Sequence, residues 1–176
     1  MTCLGLNRKL AGKKKMKIEL NWSEQLIAAQ TGVMRRLSAI HRDRSKPIGI
    51  REGFQWDCDI EGSGAEAAVA KALNQYWLGF SQEPHKLAGD VGNLQVRSTK
   101  HRHGRLILHT ADPDRAIFIL VRGAMPKYEV VGWLRAKDGK KDEYRFTGDG
   151  RKENLIDPPF YVPNDKLNDI STIPKD

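Results

Sequence analysis

Up to Gly79 the apolar residues of this chain recur at helical spacing, and beyond it they fall into short strand-like runs, so helices must come first and a sheet must follow. Trp22, Leu26, Val33, Leu37 and Ile40 predict an amphipathic helix from about Ser23 to Ile40, weakened but not broken by Gly32. Ser63 and Glu66 form a capping-box pair that predicts the start of a second helix, with Ala65, Val69, Ala72, Leu73 and Tyr76 as its apolar stripe. Asp57, Asp59 and Glu61 then fall in an acidic turn before it. Leu94 to Thr99, Arg105 to His109, Ile117 to Arg122 and Tyr128 to Leu134 read as strands. Asp112-Pro113-Asp114 suggests a hairpin between two of them, and Gly123 with Pro126 marks the next reversal. Phe160 to Val162 resume a strand, Pro163 ends it, and Asn164 to Ile170 read as a short helical turn. The expected class is α/β in the α+β sense, with a mixed central sheet of about four to five strands flanked by helices.

A chain of 176 residues suits one domain with a sizeable core. Residues 1–15 read as a disordered basic arm, residues 16–176 as a single domain, and the charged stretch at about 137–157 as a flexible loop. Cys3 and Cys58 lack the spacing of a disulfide framework or a zinc site, which fits a reducing compartment. No apolar run approaches the about 18 residues of a membrane span, and no secretory signal pattern opens the chain. The expectation is a cytoplasmic protein with no membrane partner. Lysine and arginine total 30 against 22 acids, a net charge of +8. The basic residues gather at Lys13 to Lys17, at Arg35 to Lys46 and around Arg97 to Arg105, a pattern that points to a polyanion such as nucleic acid or, more plainly, to a solvated face.

The segment Gly89-Asp90-Val91-Gly92-Asn93-Leu94-Gln95-Val96-Arg97 places an acid in a glycine-flanked turn just before a strand. On that strand Gln95 and Arg97 share a face. A carboxylate and an amide oxygen offer hard ligands for Mg2+ or Mn2+, and a neighbouring cation can hold a phosphate; Glu66 could join from the helix before. Each residue also has a plainer reading. Glu66 serves as the cap partner of Ser63, Asp90 shapes an Asx-type turn, and Gln95 with Arg97 form the solvent face of a half-exposed strand. His101, His103 and His109 have no acid or cysteine set beside them and read as a basic loop rather than a metal site. Trp22, Trp56, Trp77 and Trp133 read mainly as core; Trp56, in a loop, could also stack on a base.

A helix acid, then an aspartate, then a strand with acid-x-lysine is an order that resembles the PD-(D/E)XK nuclease superfamily, in particular its small phage, prophage and repair-type members. The resemblance covers roughly residues 62–134, with a looser echo at 160–167. It implies a restriction-endonuclease-like core. Taken residue by residue, Asp90 stands at the metal-binding aspartate, Gln95 at the strand acid, Arg97 at the lysine and Glu66 at the helix acid. Glutamine in the acid position occurs in Mrr-like members and removes one negative charge. Arginine stays protonated and cannot act as a base, so Arg97 becomes a phosphate or transition-state stabiliser. The implied activity is metal-dependent hydrolysis of phosphodiesters in DNA rather than RNA, with Arg35, Arg36, Lys100, Arg102 and Arg105 on backbone phosphates. Small nucleases of this kind often work as homodimers. Two further readings stay open: a nuclease-like protein that only binds nucleic acid, and a phage protein-interaction adaptor.

Overall fold

The computed structural model describes residues 15–42, 53–79, 89–147 and 157–174. In chain order it contains β1 (Met16–Glu19), α1 (Trp22–His41), α2 (Gln55–Leu73), β2 (Leu94–Thr99), β3 (Leu106–Leu108), β4 (Ile117–Ala124), β5 (Lys127–Arg135), a single turn of helix α3 (Ala136–Gly139) and β6 (Phe160–Val162). Short 3-10 turns lie before β6 at Asp142–Tyr144 and after it at Asn164–Lys166 and Ile170–Thr172. Four strands form one mixed sheet in the order β1-β5-β4-β2, with β2 parallel to β4 and the other pairs antiparallel. The expected mixed α+β class is therefore what the chain adopts.

β4 and β5 read as near-continuous apolar runs because both of their faces are covered. On one face, Ala65, Ala68 and Val69 of α2 pack on Ile119, Val121 and Val130. On the other, Leu106, Leu108, Phe160 and Val162 pack on Phe118, Leu120 and Val131. Those last four come from β3 and β6, which pair with each other as a separate two-stranded ribbon. Asp112-Pro113-Asp114 is consequently no hairpin turn: it links β3 to β4, which lie in different sheets. The reversal at Gly123 to Pro126 does join paired strands, β4 and β5.

α1 opens on a reciprocal cap in which Asn21 Oδ1 accepts from Glu24 N at 3.0 Å and Glu24 Oε2 accepts from Asn21 N at 2.6 Å. Its apolar stripe does not face the core. Trp22 is 75% exposed and Leu37 53%, while Ala28, Thr31, Gly32 and Arg36 are buried. The reason lies at Gly32, where a β-carbon would stand 2.5 Å from Ile60 Cα on α2. Small residues let the two backbones approach, and the larger apolar side chains are left on the outer side.

α2 begins at Gln55, not at Ser63. Ser63 lies inside the helix and donates to the carbonyl of Asp59 at 2.9 Å, so the Ser63-Glu66 pair is not a cap. Asp57, Asp59 and Glu61 lie in its early turns, where the helix dipole accommodates acids as readily as a loop does. The expected flexible loop is also shorter than its composition suggested: residues 137–147 are built around α3, and Lys140 ties this segment to Thr110, Asp112 and Asp114. The basic arm up to residue 14 and residues 148–156 lie outside the described residues. No helix among those described is long and apolar enough to cross a membrane.

Gly32→Ala should force α1 away from α2 and lower stability by about 1–3 kcal/mol, the usual cost of overpacking, measured as a shift in the urea midpoint.

Candidate functional site

Two glycines give the turn before β2 its shape. A β-carbon on Gly89 would lie 2.4 Å from the Leu94 carbonyl oxygen, and Gly92 sits at φ +59°. The turn closes through Asp90 N to Leu94 O at 2.7 Å and Gly89 N to Gly92 O at 2.8 Å. β2 is an edge strand, and its bond partners show which way it faces. Leu94 accepts from the turn, and Val96 N donates to Asp90 Oδ2 at 2.7 Å, so the even-numbered backbone groups point to the open edge. The Asp90 carboxylate therefore lies at the rim of the sheet, between its two faces.

On the helix side of that rim stands Glu66. Its carboxylate is buried and held by Arg35 through two parallel bonds, Nη1 to Oε1 at 2.5 Å and Nη2 to Oε2 at 2.6 Å. Trp77 Nε1 donates to Oε2 at 3.1 Å, and Arg35 also reaches the Gly79 carbonyl at 2.9 Å. Burial pushes the Glu66 carboxyl above its ordinary value; Arg35 opposes the shift and the nearby Asp90 charge adds to it. Burial likewise raises Asp90, against the pull of the Val96 N–H and of the Arg35 and Arg97 charges.

On the opposite side stand Gln95 and Arg97. Leu94 and Val96 pack into the core beneath α2, so alternation turns Gln95 and Arg97 to the other face. Arg97 lies over the Phe118 ring at 4.9 Å and donates from Nη2 to Asp112 Oδ1 at 3.0 Å; its buried Nε has no partner. Asp112 is itself oriented by the His109 N–H at 2.8 Å. Glu66, Asp90 and Arg97 thus surround one stretch of sheet edge, with Asp90 feeling both arginines. Gln95 is separated from Glu66 by the sheet.

The other expected phosphate contacts divide. Arg36 is only 4% exposed, and its Nε donates to Asp59 at 2.6 Å, which makes it an interior ion pair and not a surface contact. Lys100 is half exposed but is held by Asp57 at 2.8 Å and Glu61 at 3.4 Å. Arg102 and Arg105 are exposed in the β2–β3 loop. Trp56 lies on α2 and not in a loop. Among the described residues no group of three or more His, Cys, Asp or Glu side chains is placed to hold a metal ion. Sequence reasoning missed Trp77 and Asp112, because an indole reads as core and an Asp-Pro-Asp reads as a turn whatever else they do. Compared with known proteins, the chain matches no family model, no curated protein and no solved structure.

Asp90→Asn keeps an oxygen for the Val96 N–H and removes a charge that burial disfavours. Because folding raises the Asp90 pKa, its stabilising share is complete below its ordinary value of 3.8 and is lost as pH rises through the raised value. The Asn protein should accordingly be the more stable one at pH 7, with the gap closing towards pH 3 in paired melts. Arg35→Ala should cost about 3–5 kcal/mol, since it strands a buried carboxylate, and adding Glu66→Gln should recover part of that loss in the same melts.

Proposed function

We propose that this protein is a metal-dependent nuclease of restriction-endonuclease-like type that hydrolyses phosphodiester bonds in DNA. The observation that carries this reading is a half-buried Asp90 carboxylate at an open strand edge, one oxygen held by Val96 N, with Glu66-Arg35 on one side and Arg97 on the other. The Asp90 charge is opposed by that of Glu66 and balanced by those of Arg35 and Arg97. A carboxylate held in a desolvated place gains from a nearby cation. The donors suit a hard divalent ion in kind. Asp90 would hold Mg2+ or Mn2+, with Glu66 beside it on the helix side. Such an ion supplies an activated water and neutralises charge on the phosphate.

Each protein group has its own part. Arg35 fixes the Glu66 carboxylate by a two-pronged grip, so the rotamer facing Asp90 is set in advance. Arg97 is positioned by Phe118 and Asp112 to take a phosphate oxygen, stabilising charge that grows during attack. Arg102 and Arg105 would neutralise backbone phosphates nearby.

A second reading, a protein that binds nucleic acid without cutting it, is favoured by one observation: both Glu66 oxygens are occupied by Arg35. One experiment separates the two. Purified protein incubated with supercoiled and linear DNA in Mg2+ or Mn2+ should nick or degrade it, and Asp90→Asn should lower the rate at least about 100-fold, on the scale of losing one group that stabilises the transition state. Equal degradation by both proteins would remove the assignment. DNA retained but never cut would decide for the binding reading.

A further inference from the structure

Three strands and one loop converge away from the candidate site to line a cavity of about 480 Å3. Lys17 of β1, Arg122 of β4 and Lys127 of β5 rise from the sheet face that α2 leaves free, since their neighbours Ile18, Val121 and Tyr128 pack towards α2. The strand register sets Lys17 opposite Glu129, and Glu129 opposite Arg122. Lys100 and Arg102 reach the same cavity from the β2–β3 loop. Its lining holds five cationic side chains against the two carboxylates Glu19 and Glu129, an excess of three positive charges.

The loop is fastened on both sides. Arg122, 9% exposed, donates to the Gly104 carbonyl from Nη2 at 3.0 Å and from Nε at 3.3 Å. A β-carbon on Gly104 would strike Thr99 Cγ2 at 2.4 Å, so the loop lies close against the end of β2. From the helix side, Asp57 and Glu61 hold Lys100. Among the described residues, Lys17, Arg102 and Lys127 have no ion-pair partner. A concave site with three unmatched cations on fixed backbone is suited to a chain of phosphates, because like charges held close together favour whatever anion lowers their repulsion. Along the same loop, Arg97, His101 and Arg105 line a smaller cavity of about 300 Å3. The basic surface therefore leads from Arg97 beside Asp90 across the loop to Lys17.

We propose that this cavity is a backbone-phosphate clamp, in which Lys17, Arg102 and Lys127 grip a nucleic-acid strand whose other end lies at Arg97. The proposal rests on the nucleic-acid reading above but not on cleavage. Its test is binding of a fluorescein-labelled DNA duplex, followed by anisotropy in EDTA over a salt series, for the native chain and the Lys17→Ala/Arg102→Ala/Lys127→Ala protein. All three side chains are exposed, and unchanged thermal melts confirm the fold. The slope of log affinity against log salt should shrink by about two to three, close to one unit per lost phosphate contact. An unchanged slope overturns the clamp even if native protein cuts DNA. A shrunken slope in a chain that never cuts DNA leaves the clamp standing and removes the nuclease. A third arm titrates inorganic phosphate at constant ionic strength: release of DNA by millimolar phosphate would show a pocket for one free phosphate and overturn the strand clamp, whereas indifference supports it.

Discussion

The two-pronged bond between Arg35 and Glu66 is the interaction on which the arrangement around the sheet edge depends. It joins α1 to α2 through buried charge, and it does so where Gly32 has already brought the helix backbones together. Neither partner is comfortable alone in that place, because a buried carboxylate without its cation would lose hydration and recover nothing. Packing and charge are thus coupled. The close approach of the helices puts Arg35 within reach, and the guanidinium in turn holds Glu66 where its charge is felt by Asp90.

Asp90 shows how a single side chain can serve geometry and electrostatics together. Its carboxylate answers a backbone donor on β2, which fixes the turn, and the same fixation keeps it from rotating out to water. Burial then makes its charge costly, while Arg35 and Arg97, approaching from the two faces of the sheet, make that charge tolerable. Folded proteins seldom keep such costly groups unless something is gained by them, and functional sites are where they gather.

Much of this was legible from the residues. The strands emerged because β4 and β5 are covered on both faces and therefore read as apolar runs, and the Gly89 to Gly92 turn was marked by glycines that the backbone requires. What escaped did so for physical reasons. The α1 stripe pointed outward because helix contact was set by small residues, which carry almost no hydrophobic signal. The start of α2 was misplaced because acids near a helix start resemble an acidic turn, and Ser63 offered a convincing cap inside the helix. β1 has only four residues and gains its place by pairing with β5, which nothing local announces. Of the site, the order of Glu66, Asp90 and Arg97 along the chain was visible. That Gln95 looks to the other side of the sheet from Glu66 followed only once the strand's neighbours were known.

The answered N–H of Val96 also bears on how this protein behaves in a crowd. An unpaired outer strand offers a ladder to which any passing extended chain can add, and soluble proteins guard such margins with charge or with local bonds. Here the guard is the acidic side chain itself, aided by the turn that folds back on Leu94. An alanine at residue 90 would therefore remove more than an anion: it would leave a bare rung on the outermost strand, and self-assembly into β-rich aggregates would be its signature.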